Sequence, residues 1–198
     1  PSAGRGAYWA RRRLQRCLLF CVVLAGAQPV IAETDGVIHW CDQLRARLHS
    51  VSGERCKREP FVVAAERTAG GRSLVMLDID AAAAKVNAAV AGGKKRVLVI
   101  GGIHGDELTS VSTVFRWIDS MRAPEAGRYQ WRVIPLANPD GLFARPSTRT
   151  NSRGVDVNRN FETADWVKDA QAYWTRRTGK DPRRNPGEKA GSEVETQW

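Results

Sequence analysis

The chain has 198 residues, of which 42% are hydrophobic and 26% charged, with a formal net charge of +10. That length and balance allow one domain with a buried core and exclude wholesale disorder. The positive charge is uneven, since residues 1–32 hold five arginines and no acid, and no basic–aromatic interleaving suited to base stacking is present, so nucleic-acid binding is set aside.

In chain order, ARRRLQR followed by CLLFCVVLAGA reads as the basic and apolar parts of a targeting segment. Small-residue cleavage sites end at Ala27 and Ala32, and the apolar run is shorter than the ~20 residues a membrane span needs. Residues 1–32 are therefore expected to be a signal peptide or N-terminal anchor. Residues 33–198 then belong to an exported domain, periplasmic or secreted, with no stable membrane span after cleavage. Cys41 and Cys56 would remain in an oxidising compartment, either bridged or as two buried thiols.

Val37, Cys41, Leu44, Leu48 and Val51 recur at helical spacing and predict an amphipathic helix over 37–51. PFVVAAER and SLVMLDI flank TAGGR and predict a β-hairpin. AAAAKVNAAV reads as a short helix closed by Gly92 and Gly93. RVLVIGG, 96–102, is expected to be a strand buried on both faces. Leu108 through Met121 repeat at helical spacing, and WRVIPLA, 131–137, predicts a further buried strand stopped by an NPDG turn. A loop rich in Arg, Ser, Thr and Asn runs to Asn160, ETADWVKDAQAYWTRR is expected to be helical, and TGKDPRRNPGEKAG a loop. Strand, helix and strand in this order imply a parallel β-α-β unit. The fold class expected is α/β, a mixed sheet with helices on both faces.

His104 and Glu107 lie three apart just beyond the apolar strand, where loops of open α/β sheets gather functional groups. Imidazole nitrogen and carboxylate oxygen suit zinc, and two such donors on one turn can converge on one ion. Gly105 is expected to clear bulk beside the imidazole, and Asp106 to support it from behind. On a blander reading Glu107 only complements a helix N-terminus and His104 is a loop residue. RTNSRGVDVNRNF, 149–161, concentrates arginine and asparagine within reach of the same edge. A guanidinium fork fits a carboxylate or a developing oxyanion.

GGIHGDE, NPDG and the run Arg149-x-Asn151-x-x-Gly154-Val155-Asp156-Val157-Asn158-Arg159-Asn160-Phe161 together resemble the zinc carboxypeptidase family related to carboxypeptidase A. The short arginine loop and the terminal SEVET look most like its bacterial murein-peptide amidase branch, over roughly 60–198. The resemblance implies a mixed eight-stranded sheet flanked by helices and zinc as cofactor. It implies His104 and Glu107 as metal ligands, Arg149 as the group polarising the scissile carbonyl, and Asn158 and Arg159 as a grip on the substrate's terminal carboxylate. Water activated on zinc and by a glutamate base would hydrolyse a peptide with a free carboxylate, cell-wall peptides included. The aspartoacylase and succinylglutamate desuccinylase group shares the His-x-x-Glu turn but not the long Gly154–Phe161 run. A third reading, from another class, is a module that binds carboxylate-bearing peptides without cutting them.

The sequence has three histidines, His39, His49 and His104. The family's third ligand is a downstream histidine and its base comes later still, and neither has a counterpart here. His39 and His49 fall in the first predicted helix and read as packing or surface residues. Asp156 is a conceivable substitute ligand that nothing in the pattern selects. Ser192-Glu193-Val194-Glu195 reads as a capping box announcing a helix, less than two turns before Trp198. The expectation is an N-terminal portion of a longer enzyme, inactive alone.

Overall fold

The computed structural model describes residues 30–80 and 95–197, with side chains from residue 36. The expected targeting segment and the AAAAKVNAAV helix therefore fall largely or wholly outside the described residues. Two helices open the described part, α1 (Val30–Arg47) and α2 (Gly53–Arg58), followed by strands β1 (Val62–Arg67) and β2 (Ser73–Asp80). Then come β3 (Lys95–Ile100), α3 (Leu108–Arg122), β4 (Tyr129–Ile134) and a short α4 (Pro139–Phe143). After an irregular loop, a π-helical turn (Val167–Gln171) runs directly into α5 (Ala172–Arg177). No described helix is long and apolar enough to cross a membrane.

The strands form one mixed sheet in the order β1-β2-β4-β3. β1 and β2 are the expected antiparallel hairpin, β2 pairs antiparallel with β4, and β3 pairs parallel with β4. The predicted β-α-β unit is thus β3-α3-β4. Residues of alternating parity on β2 and β4 bury Val75, Leu77, Ile79 and Val133 against α1 and α3. From α1 come Val37, Trp40, Cys41, Leu44 and Leu48; from α3 come Val111, Val114, Phe115, Ile118 and Met121, the stripe that helical spacing anticipated. Trp40, Phe61 and Phe115 meet at centroid distances of 5.5, 6.4 and 6.0 Å and tie the N-terminal helix to α3.

Three expectations need correction. The first helix begins by Val30 and ends at Arg47, and Val51 is buried beyond it, before the separate short α2. β3 is not buried on both faces: among the described residues it pairs only with β4, and Leu98 is 53% exposed. Leu98 faces the same side as its cross-strand neighbours Arg132 and Asp78, both exposed, away from α1 and α3. The NPDG stretch is not an open turn but the first turn of α4, because the Asn138 side chain accepts from the Gly141 amide and caps it.

Cys41 and Cys56 are bridged, joining α1 to α2 with both residues fully buried. The bridge spans 15 residues, and closing a loop of that length in the unfolded chain is worth about 3 kcal/mol. Replacing both cysteines with serine is expected to lower the unfolding free energy by about that amount, read as a shift in the urea midpoint at unchanged slope.

Candidate active site

Parallel pairing continues past the ends of β3 and β4. The Ala137 and Asn138 amides donate to the Gly101 and Gly102 carbonyls, each at 2.9 Å. This lays the GGIHGDE turn directly beside the NPDG segment at the carboxyl edge of the parallel pair. Gly102 has φ +56°, a conformation that costs glycine little, and a Cβ there would strike Leu136 and Val111. Gly105 has a different reason from the one expected. An added Cβ would lie 2.1 Å from the Gly141 carbonyl carbon, so its missing side chain lets the turn press onto the backbone of α4 rather than clearing space for the imidazole.

His104 is buried, 6% exposed, between two carboxylates. Its Nδ1 lies 3.0 Å from Glu107 Oε1 and its Nε2 lies 3.2 Å from Asp156 Oδ1. Glu107 occupies the N-cap position of α3 but makes no side-chain cap bond; its carboxylate turns toward His104, against the blander reading. When Nε2 carries the proton and donates to Asp156, the Nδ1 lone pair is left beside Glu107. That donor pair fits zinc as two of its ligands, and a carboxylate fixing the far nitrogen of a ligating histidine is the usual supporting arrangement. Among the described residues no cluster of three His, Cys, Asp or Glu able to hold a metal is present. His39, on α1, and His49, in the turn that follows it, are both exposed.

Asp156 carries more of the site than its place in the sequence suggests. It was a conceivable ligand; the structure sets it behind His104 instead. The supporting role expected of Asp106 falls to it, while Asp106 pairs with Arg183 at 2.9 Å. Asp156 is fully buried and takes Arg149 Nε at 3.0 Å and Arg159 Nε at 3.4 Å on its second oxygen. Burial alone would raise its pKa, but the contacts from His104 and Arg149 outweigh it and hold the carboxyl below the usual range.

Arg149 and Arg159 are brought to the same carboxylate, and Arg149 also reaches within 3.6 Å of Glu107. The Arg159 guanidinium stacks over the Tyr173 ring at 5.3 Å. Asn158 is exposed and lines, with Arg159, a cleft bordered by the 167–177 helical segment. All five residues singled out from the sequence thus lie on the HGDE turn or on the loop that Asp156 ties to it.

The remaining polar residues of the motifs brace the loop. Asn138 donates to the Arg149 carbonyl at 3.1 Å. Asp140 accepts from Thr68 Oγ1 at 2.6 Å, the Gly70 amide at 2.9 Å and Ser152 Oγ at 2.5 Å, joining the hairpin turn to the loop. Asn151 Oδ1 accepts from the Arg153 and Val155 amides, while its Nδ2 donates to Glu193 at 2.8 Å and Glu195 at 3.3 Å. Asn160 binds the Pro186 and Lys189 carbonyls and the Glu193 amide. The expected capping box is not formed. Ser192 Oγ donates to Glu193 Oε1, and only a single 3₁₀ turn (Val194–Thr196) follows, without a side-chain cap. Glu193 and Glu195 are each 1% exposed because they serve Asn151 instead of a helix start.

Two measurements check this construction. Gly105→Ala, which drives a Cβ into α4 backbone that cannot yield, is expected to cost roughly 3 kcal/mol or more of stability, measured by urea denaturation. Burial raises the Glu195 pKa, the first cause, against weaker lowering by hydrogen bonds. The folded state therefore prefers the protonated acid, so stability is full below the unfolded pKa of about 4.3 and falls as pH rises through the folded one. Glu195→Gln, which keeps an oxygen for Asn151, is expected to gain stability over the parent at pH 7.5 and to lose that gain at pH 4.

A family model for zinc carboxypeptidase (peptidase M14) matches residues 53–198. Murein peptide amidase A of Escherichia coli K12 is 36% identical over 111 residues, 55% of this chain and 44% of that protein. The chain therefore spans less than half the length of that curated relative. Among solved structures, bovine thrombin-activatable fibrinolysis inhibitor in complex with tick carboxypeptidase inhibitor superposes with TM-score 0.52 at 16% identity, over 83% of this chain and 53% of that one. Carboxypeptidase A from Helicoverpa armigera gives TM-score 0.51 at 19% identity, over 84% and 40% of the two chains. These two likenesses establish the fold, and with the family match over most of its length the chain belongs to the zinc carboxypeptidase family.

Proposed function

We propose that the protein acts in zinc-dependent hydrolysis, after export, of peptide or amide bonds near a free carboxylate, with cell-wall peptides as substrates. The observation that carries the reading is the shared anchoring of His104, Arg149 and Arg159 on Asp156. One carboxylate thereby orients the imidazole beside Glu107 and gathers two guanidinium groups next to it. Similarity to murein peptide amidase A supports the cell-wall substrate class, and the basic and apolar N-terminal segment supports export.

His104 Nδ1 and Glu107 would hold the zinc ion, which supplies Lewis acidity to polarise a carbonyl and activate water. Asp156 keeps the Nε2 proton on the far side of the ring, so that Nδ1 stays available. Arg149, 17% exposed at its side chain and already held by Asp156, is pre-oriented to receive negative charge developing on the carbonyl oxygen. Asn158 and Arg159, on the cleft side, would take the substrate's carboxylate and fix which bond is presented. No histidine follows His104 in this sequence, so no downstream histidine of this chain supplies a third protein ligand.

The chain is accordingly expected to bind zinc weakly, with water completing the coordination sphere, and to show no turnover of hippuryl-amino-acid or murein-tripeptide substrates. His104→Ala and Glu107→Gln should each weaken zinc binding at least tenfold by competition with a chromogenic chelator. Zinc affinity unchanged in both variants would refute the ligand assignment. Turnover that disappears in His104→Ala would show that two protein ligands suffice. Peptide binding indifferent to a chelator would favour a non-catalytic module.

A further inference from the structure

The cleft beside Asn158 and Arg159 is larger than a single carboxylate needs, at about 560 Å³. Its far wall is the segment that passes from the π-helical turn into α5. Residues 168–170, 172 and 173, and 176 and 177 of that segment all line it, recurring about once per helical turn. The wall carries Lys168, Arg176 and Arg177 and a single acid, Asp169. Among the described residues Arg176 and Arg177 have no carboxylate partner within ion-pair distance. At the cleft's inner end, Arg159 is held from behind by Asp156, 3.4 Å from its Nε, and its guanidinium rests on Tyr173 from the same wall. The Trp166 indole donates to the Arg159 carbonyl at 2.7 Å, which fixes the start of the wall against the loop. A π-turn at this junction is the kind of helical irregularity that recurs at functional sites.

We infer that Arg176 and Arg177 form a second anionic subsite, so that the preferred ligand is a peptide carrying a further carboxylate close to the terminal one. This deepens the proposed function and rests on the assignment of Asn158 and Arg159 to a terminal carboxylate. The cations of the wall are exposed, so each pairing is weak and screened by salt, and together they discriminate by attraction rather than by a rigid fit. Asp169, on the same wall, disfavours a carboxylate placed at its own end and directs the second group toward Arg176 and Arg177.

Isothermal titration of the full chain at low salt tests this without requiring turnover. The probes are acetyl-Ala-Glu-Ala and acetyl-Ala-Ala-Glu, each with its glutamine counterpart, together with all four as C-terminal amides. At least one glutamate peptide is expected to bind about fivefold tighter than its glutamine partner. The advantage should vanish in the Arg176→Gln/Arg177→Gln double variant, whose exposed positions leave the fold intact by circular dichroism. Equal affinities within both pairs, or an advantage undiminished in the double variant, would overturn the subsite while leaving the terminal-carboxylate reading in place. Amides binding as tightly as the free acids, or no binding of any probe, would instead remove that underlying reading and the subsite with it.

Discussion

A single buried carboxylate organises this site. Ionised Asp156, out of contact with water, is tolerable only because its two oxygens are met by His104, Arg149 and Arg159. The pairing runs both ways. Without Asp156 the two guanidinium groups would lose their common counter-charge, and the His104 ring would lose the contact that fixes its orientation. The loop from Arg149 to Asn160 must therefore pass where this one acid can touch a turn that lies 52 residues earlier in sequence. Charge pairing in a low-dielectric setting, and not hydrophobic burial, is what joins the two halves of the site.

That loop has almost no regular secondary structure, so its backbone groups cannot satisfy one another through ladders or helical turns. Side chains do so instead. Asn138 holds the Arg149 carbonyl, Asn151 receives two loop amides, and Asn160 gathers carbonyls from the 186–189 stretch. Asp140 fastens the same loop to the β1–β2 hairpin turn, and Glu193 and Glu195 close it from the C-terminal side. Much of the asparagine and acid that makes the segment look like a binding surface is thus internal bracing. Asn158 and Arg153, and the outer parts of Arg149 and Arg159, remain directed outward.

The sheet places these parts by simple means. A parallel β-α-β unit delivers two strand ends to one edge, Gly102 lets the turn close against Leu136 and Val111, and Gly105 lets it lie on α4 with no side chain between. The rigid face is the one carrying α1 and α3, reinforced by the Cys41–Cys56 bridge. The opposite side of β3 leaves Leu98 open beside Arg132 and Asp78. The half of the molecule bearing the site is consequently anchored through one well-packed core, and the site itself stands at the margin of that core.

Periodicity and local chemistry carried the elements. The stripe from Leu108 to Met121, the hairpin around TAGGR, the β3-α3-β4 unit, and the His104–Glu107 pairing on one turn were all legible, because each depends on neighbours within a few residues. Tertiary contacts decided the rest. An apolar strand reads the same whether one neighbour or two lie beside it, so the edge position of β3 was invisible. Ser192 to Glu195 satisfied a local capping pattern, yet two buried partners on Asn151, 42 and 44 residues away, outweighed it. The place of Asp156 was equally unreadable, since a carboxylate's partners across 52 residues are set by where the sheet delivers them and by the need to neutralise a charge once it is buried.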